Sequence, residues 1–193
     1  HLSLRRQRQM CIRDSYNFVS ENGYTSMSLR CIAENCDVSA TAIYRHYKTK
    51  EHLLADVVVK GFTEFNIFVE GDLEANIFDK CDNYLEFAFD NKNIYDLLFS
   101  QSVVEFLKFP KILEVADSSF QTLLESVKEH DRSLNDLSAS NKAIHIWSFL
   151  HGISSISKKM DVALSLPDSE MPIPVRSVKR ARGNLRQFIE DLF

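Results

Sequence analysis

The chain has 193 residues, 23 Lys+Arg against 27 Asp+Glu, and a formal net charge of −4, with 45% hydrophobic residues. That suffices for one large domain, or a small one joined to a larger one. Four Pro and five Gly exclude collagenous, low-complexity and long disordered readings, and no run of about 18 apolar residues is present to cross a membrane. Cys11, Cys31, Cys36 and Cys81 form no C-x-x-C pair and no zinc-spaced Cys/His cluster. They read as free thiols of a reducing, cytoplasmic compartment. No metal and no cofactor is expected. The mild acidity means that any DNA contact must come from a local patch.

Residues 1–15 stand apart. The run Arg5-Arg-Gln-Arg-Gln-Met-Cys-Ile-Arg-Asp14 resembles, codon by codon, a translated transposon-type sequencing adapter. His1 to Leu4 fit the index bases upstream of such an adapter. The expectation is that residues 1–15 are adapter-derived and that the true first helix is truncated at Tyr16. The other reading is a basic N-terminal arm. Without the segment's four Arg and one Asp, 19 Lys+Arg stand against 26 Asp+Glu, a net charge of −7. Its arginines are therefore left out of any DNA-binding argument.

From Tyr16 onward the periodicity is helical nearly throughout, and the fold class expected is all-α. A helix ends at Asn22, with Gly23 where a left-handed cap is wanted. Leu29–Asn35 is a short helix with Ser26 or Ser28 as N-cap. Cys36-Asp37-Val38 is a turn. Ser39 caps a helix from Ala40 to about Tyr47. Thr49 caps a long helix from Lys50 to about Val69, and Gly71-Asp72 ends it. Further helices are expected at about 73–91, 94–99, 110–129, 141–160 and 175–193. Polar residues 130–140 and breaker-rich residues 166–174 read as loops. The domain division expected is a DNA-binding head at 16–50 and an effector-binding and dimerisation domain at 51–193.

Three short helices with tight turns over 16–47 are the sequence form of a helix-turn-helix unit. Ile32, Ala33, Val38 and Ile43 have the spacing to form its small core. Between Ala40 and Lys50 the charged residues are Arg45, Lys48 and Lys50, with none acidic. Ser39 opens the second helix, so Ala40, Thr41 and Arg45 are placed to read base edges, with His46 at base or backbone. Thr25, Ser26 and Ser28 lie at the start of the preceding helix, where a phosphate would be welcome. Tyr47 reads as packing or as a polar contact.

These residues carry a resemblance. Gly23-Tyr-Thr-Ser-Met-Ser-Leu-Arg-Cys-Ile-Ala33, Val38-Ser39, Ile43-Tyr-Arg-His-Tyr47 and Lys50-Glu-His-Leu-Leu54 resemble the tetracycline-repressor (TetR) family of bacterial regulators. The resemblance implies that Tyr44 and Lys50 bind phosphates. It also implies a double-stranded operator and a homodimer through helices 141–160 and 175–193. Two departures stand out. Asp37 replaces the usual turn glycine, which Asp tolerates better than most residues. Asp14 stands where a small apolar residue is wanted, and the adapter reading accounts for it.

Ile146-Trp-Ser-Phe-Leu-His-Gly-Ile153 resembles the Trp-x-x-x-His-Gly signature of one branch of TetR effector domains. Trp147 and His151 lie four apart on one helix face. They could wall a pocket for a small, largely apolar effector, or fill core. Phe99, Phe106, Phe120 and Leu150 are further wall candidates, each equally readable as core. Gly152 could permit a close helix crossing. Arg176, Lys179, Arg180, Arg182 and Arg186 form a solvated face or a second nucleic-acid surface.

There is no phosphate loop, G-x-S-x-G or H-E-x-x-H, so no enzyme is expected. The reading is a ligand-responsive, sequence-specific repressor released from a palindromic operator. The alternative is an effector-binding helical dimer whose DNA binding is degenerate or non-specific.

Overall fold

The computed structural model describes residues 2–99 and 108–193. It is all-helical among the described residues, and no helix is long and apolar enough to cross a membrane. Those residues fall into two compact units, 1–66 with 91–117, and 67–90 with 118–193. The division expected at Lys50 follows chain order; the first unit, defined by packing, also takes 51–66 and 91–117.

In the first unit, α1 (Leu2–Asn22) buries Cys11, Ser15 and Val19, four residues apart along one stripe. Gly23 stops it in the left-handed region at φ +76, with its N–H on the Val19 carbonyl at 2.8 Å. Two seven-residue helices follow, α2 (Leu29–Asn35) and α3 (Ala40–His46), then α4 (Lys50–Glu70). Ser28 is the cap of α2: its hydroxyl oxygen accepts from the Cys31 N–H at 3.1 Å. Ser26 is not a cap and instead donates back to the Asn22 and Gly23 carbonyls. Ser39 accepts from the Ala42 N–H at 3.2 Å and so starts α3.

The turn between α2 and α3 needs one left-handed residue. Asp37 supplies it at φ +52, as the substitution of Asp for Gly demands. Ile32, Ala33 and Ile43 are buried at 0, 2 and 0% exposure, whereas Val38 is only half-buried. Burial of each large aliphatic side chain contributes about 1.5–3 kcal/mol, so this small core is what holds the two short helices together. α6 (Lys92–Phe99) packs on α1 and meets α4 at Gly61. A Cβ on Gly61 would sit 2.9 Å from Leu98 Cδ2, so a larger residue there would force the Leu98 side chain to shift. Asn93 donates to the Ser20 carbonyl at 2.9 Å.

The second unit holds α5 (Ile77–Asp90), the later part of α7 (Pro110–His130), α8 (Asp136–Lys159), the single turn α9 (Asp161–Leu164), α10 (Ile173–Gly183) and α11 (Leu185–Glu190). Ala139, Ala143, Ile146, Leu150, Ile153 and Ser157 make a seam along α8 at alternating spacings of four and three. It packs against α5 and α10.

The largest differences from the sequence expectation are at α5, α8 and the final helix. α5 starts at Ile77 rather than Leu73, because Asn76 accepts from the Phe78 N–H while Asp79 accepts from the Asn76 N–H. α8 starts at Asp136, since Asn135 accepts from the Ser138 N–H at 2.9 Å and makes the polar stretch helical. The final helix is two helices, broken at Gly183-Asn184, where Asn184 has φ −127 and ψ +34.

Candidate nucleic-acid interface

α3 has one buried side, carried by Ile43, and an open side. Thr41, Tyr44 and Arg45 are exposed, Tyr44 at 54%. Ala40 is the first residue of the helix. Ser39 is exposed although its oxygen is used in capping. His46 is half-buried, and its Nε2 lies 3.1 Å from the Gln7 amide oxygen. From Val38 to Lys50 there is no carboxylate. The open side therefore presents hydroxyl and guanidinium donors with no acidic residue of its own, the chemistry that phosphates and base edges require.

Lys50, the first residue of α4, reaches back to the segment before α2. Its Nζ donates to the Thr25 carbonyl at 3.3 Å. Thr25, Ser26 and Ser28 are exposed beside it. Partial burial pulls the Lys50 ammonium below its ordinary 10.5, since the charge has lost part of its water shell. Nearby, Thr49 Oγ1 lies 2.7 Å from His52 Nδ1, and His52 meets Phe109 edge-on at 5.7 Å. Glu51 pairs with Lys108 at 3.7 Å.

Tyr47 is 2% exposed, so the packing reading of it holds for the ring. The polar reading holds for the hydroxyl, which donates to Asp56 Oδ2 at 2.7 Å. Burial first, and then the Asp56 carboxylate, hold the phenol proton on far above its usual range. Sequence reasoning singled out no role for Asp56. Its only sequence signal is a carboxylate nine residues after a tyrosine, which no helical spacing connects.

The residues proposed for an effector divide between the units. Phe99 belongs to the first, in an aromatic cluster with Tyr95, Phe62 and Phe65 at 4.6–5.7 Å. Phe106 lies outside the described residues. In the second unit Phe120 meets Trp147 edge-on at 6.3 Å, and Trp147 lies 6.3 Å from His151. Trp147 is 37% exposed, and His151 is half-buried with its Nε2 at 3.5 Å from Ser155 Oγ. Burial lowers the His151 pKa below its ordinary 6.5. Leu150 is 2% exposed, a core residue. A Cβ on Gly152 would meet nothing within 4 Å, so no crossing among the described residues requires glycine there.

The basic residues near the end are largely occupied. Arg176 Nη2 donates to the Met171 carbonyl, and Lys179 pairs with Asp168 at 2.6 Å. The Arg182 and Arg186 guanidinium carbons lie 3.8 and 4.5 Å from the ring centres of Phe89 and Phe78. Those two arginines hold α10 and α11 to α5.

A helix-turn-helix head with a capped, acid-free second helix, followed by a helical domain, defines a DNA-binding regulator class. The sequence comparisons give the family. Residues 16–57 match the bacterial regulatory proteins of the tetR family, and 77–170 match the tetracyclin repressor-like C-terminal domain. The chain belongs to the TetR family of transcriptional regulators. No curated relative matches it in sequence.

Similar solved structures include a protein of unknown function from Rhodococcus sp. RHA1, with 18% identity, TM-score 0.69 and 94% coverage of both chains. BioQ with its double-stranded DNA operator is similar at 13% identity, TM-score 0.62 and 96% coverage of both chains. The multidrug binding protein EbrR complexed with proflavin is similar at 17% identity and TM-score 0.60, covering 97% of this chain and 99% of that one.

Proposed function

We propose that the protein is a homodimeric, sequence-specific repressor released from a palindromic operator by a small, largely apolar molecule. The observation that carries the proposal is the open side of α3, where Thr41, Tyr44 and Arg45 stand exposed beside Lys50 with no carboxylate among residues 38–50. In this reading Arg45, Thr41 and Ala40 meet base edges. Tyr44, Lys50 and the hydroxyls of Thr25 and Ser28 meet phosphates, and His46 meets base or backbone. Two copies would place their α3 helices in successive major grooves, about one helical turn apart.

The dimer face in this reading is the outer side of α8 and of α10 and α11. Ile144, Ile156 and Phe188 are 40–44% exposed there, and Phe188 stacks on Phe149 at 5.4 Å. The effector would lie at the Phe120, Trp147 and His151 rings. BioQ bound to its operator and EbrR bound to proflavin are relatives in fold that carry the two kinds of partner proposed. An effector shifts the protein off DNA only if it binds the released state better.

The test is selection from a random duplex pool at physiological salt. Enrichment of a palindrome supports the reading. A folded dimer that enriches nothing, and shows only salt-dependent binding, would instead be an effector-binding dimer with degenerate DNA recognition.

A further inference from the structure

α3 rests on a narrow support. Its seven residues span about 10 Å, and Ile43 is the helix's fully buried side chain among those described. A short helix held by one knob can rock about it. The capped end at Ser39 is joined to α2 through the turn at Asp37 and through the Ile32, Ala33 and Ile43 core. The other end leaves the helix at Tyr47, whose backbone is extended at φ −133 and ψ 114. There the ring is buried and the hydroxyl is bonded to Asp56, on the second turn of α4, with an Asp56 side chain 20% exposed. The Tyr47–Asp56 bond is thus a second fixed point, tying the exit of α3 to the helix that begins with Lys50.

We propose that Asp56, acting through Tyr47, is a positioning residue for the recognition helix. It sets the angle at which Thr41 and Arg45 meet base edges. The proposal rests on the reading of α3 as the base-reading helix. Base-edge hydrogen bonds fail when donors shift by about 1 Å, because their range of distance and angle is narrow. Lys and Arg on flexible stems follow such a shift and keep their phosphates. Losing the strut therefore erodes specificity before it erodes affinity for DNA in general. Arg8 also reaches Asp56 Oδ2, at 2.8 Å. Its Nε lies 3.4 Å from the Tyr47 hydroxyl as well, whereas Tyr47 and Asp56 both fall inside the 16–57 family match.

The experiment uses the full chain with the duplex recovered by selection and a scrambled duplex of equal length and composition. Tyr47→Phe keeps the ring and removes the donor, whereas Asp56→Ala removes the acceptor. Each should bind the selected duplex about tenfold more weakly, the worth of a charge-assisted bond. Binding to the scrambled duplex and the salt slope should stay native. Asp56→Asn keeps an acceptor oxygen and should remain within about threefold of native. The double variant should be no weaker than Asp56→Ala alone, since Asp56→Ala already removes the Tyr47 bond together with the Arg8 pair.

Equal losses on both duplexes, or no loss on either, overturn the proposal. Asp56→Ala carries the same comparison if Tyr47→Phe does not fold. If the native chain selects no duplex, the base-reading role of α3 falls, and amide hydrogen exchange then decides the strut. Exchange of the Ala42–His46 amides should quicken in Tyr47→Phe and stay native in Asp56→Asn. Unchanged exchange in Tyr47→Phe overturns it.

Discussion

Lys50 donates to the Thr25 carbonyl at 3.3 Å, closing 25 residues of chain into a loop around the helix-turn-helix. The contact puts an ammonium beside the start of α2 without neutralising it, because a carbonyl carries no charge. Lys50→Ala should weaken binding to all duplexes alike and lower the slope of log K against log salt by about one. Salt titration on selected and scrambled duplexes measures this, and an unchanged slope removes Lys50 from the phosphate contacts. Burial already lowers the Lys50 pKa below 10.5 in the free protein, and a bound phosphate should raise it again. Binding in the alkaline range should thus take up a proton and weaken as pH rises there.

Arg45 is exposed on the open side of α3. Arg45→Ala should cost about 1–3 kcal/mol on the selected duplex and relax the preference at one position of each half-site. Repeating the selection with the variant reads this directly, and uniform weakening without relaxation would make Arg45 a backbone contact.

Asp37 holds φ +52 in the turn. A non-glycine residue in the left-handed region costs about 1 kcal/mol, while glycine costs more chain entropy on folding. Asp37→Gly should therefore stabilise the protein by about 0.5 kcal/mol and leave site preference unchanged. Thermal melting and repeated selection check both halves. Gly23, at φ +76, should show the opposite sign: Gly23→Ala loses about 1 kcal/mol.

Arg182 lies 3.8 Å over Phe89 and couples α10 to α5. Arg182→Ala should lower stability by about 1 kcal/mol through lost cation–π contact and packing, with no change in DNA affinity. A fall in affinity without a fall in melting temperature would favour a second nucleic-acid surface.

His151 has its pKa lowered by burial. The unfolded chain, titrating near the ordinary value of about 6.5, binds its proton first as pH falls. Stability from this group is complete above pH of about 6.5 and is lost as pH drops through the folded-state value. His151→Gln should remove that acid-side loss in a series of melts. Trp147 is the single tryptophan and sits 6.3 Å from His151. A small molecule that releases the selected duplex should shift Trp147 emission. His151→Ala should raise the concentration needed by about tenfold if one hydrogen bond is lost. Release with unchanged emission would place the effector elsewhere.

The head was legible because its determinants are local. Ser39, the Asp37 turn and the Ile32, Ala33 and Ile43 core lie within a dozen residues of one another, where spacing speaks directly. Ser26 and Ser28 were equally good caps by sequence, and only the bond to the Cys31 N–H separates them. The start of α8 was missed because residues 136–138 are a polar or lone-apolar turn with one buried follower, Ala139. Periodicity needs at least two turns to register. Asp56 was missed for a different reason: its partner is on another helix, and pairings across helices leave no period. The broken end at Gly183 was hidden by an apolar stripe that stays in phase across it, with Ala181, Leu185 and Ile189 all buried.

Gly61 sets a rule for exchanging parts between related regulators. Leu98 already occupies the space that any larger residue at position 61 would need. A chimera that grafts this head and its α4 onto another chain's α6 must bring a residue no bulkier than leucine opposite Gly61. One that imports a foreign α4 with a larger residue there must let the side chain at position 98 shift. The fit of transplanted helices is therefore tested at this crossing, where position 61 faces Ile94 and Leu98.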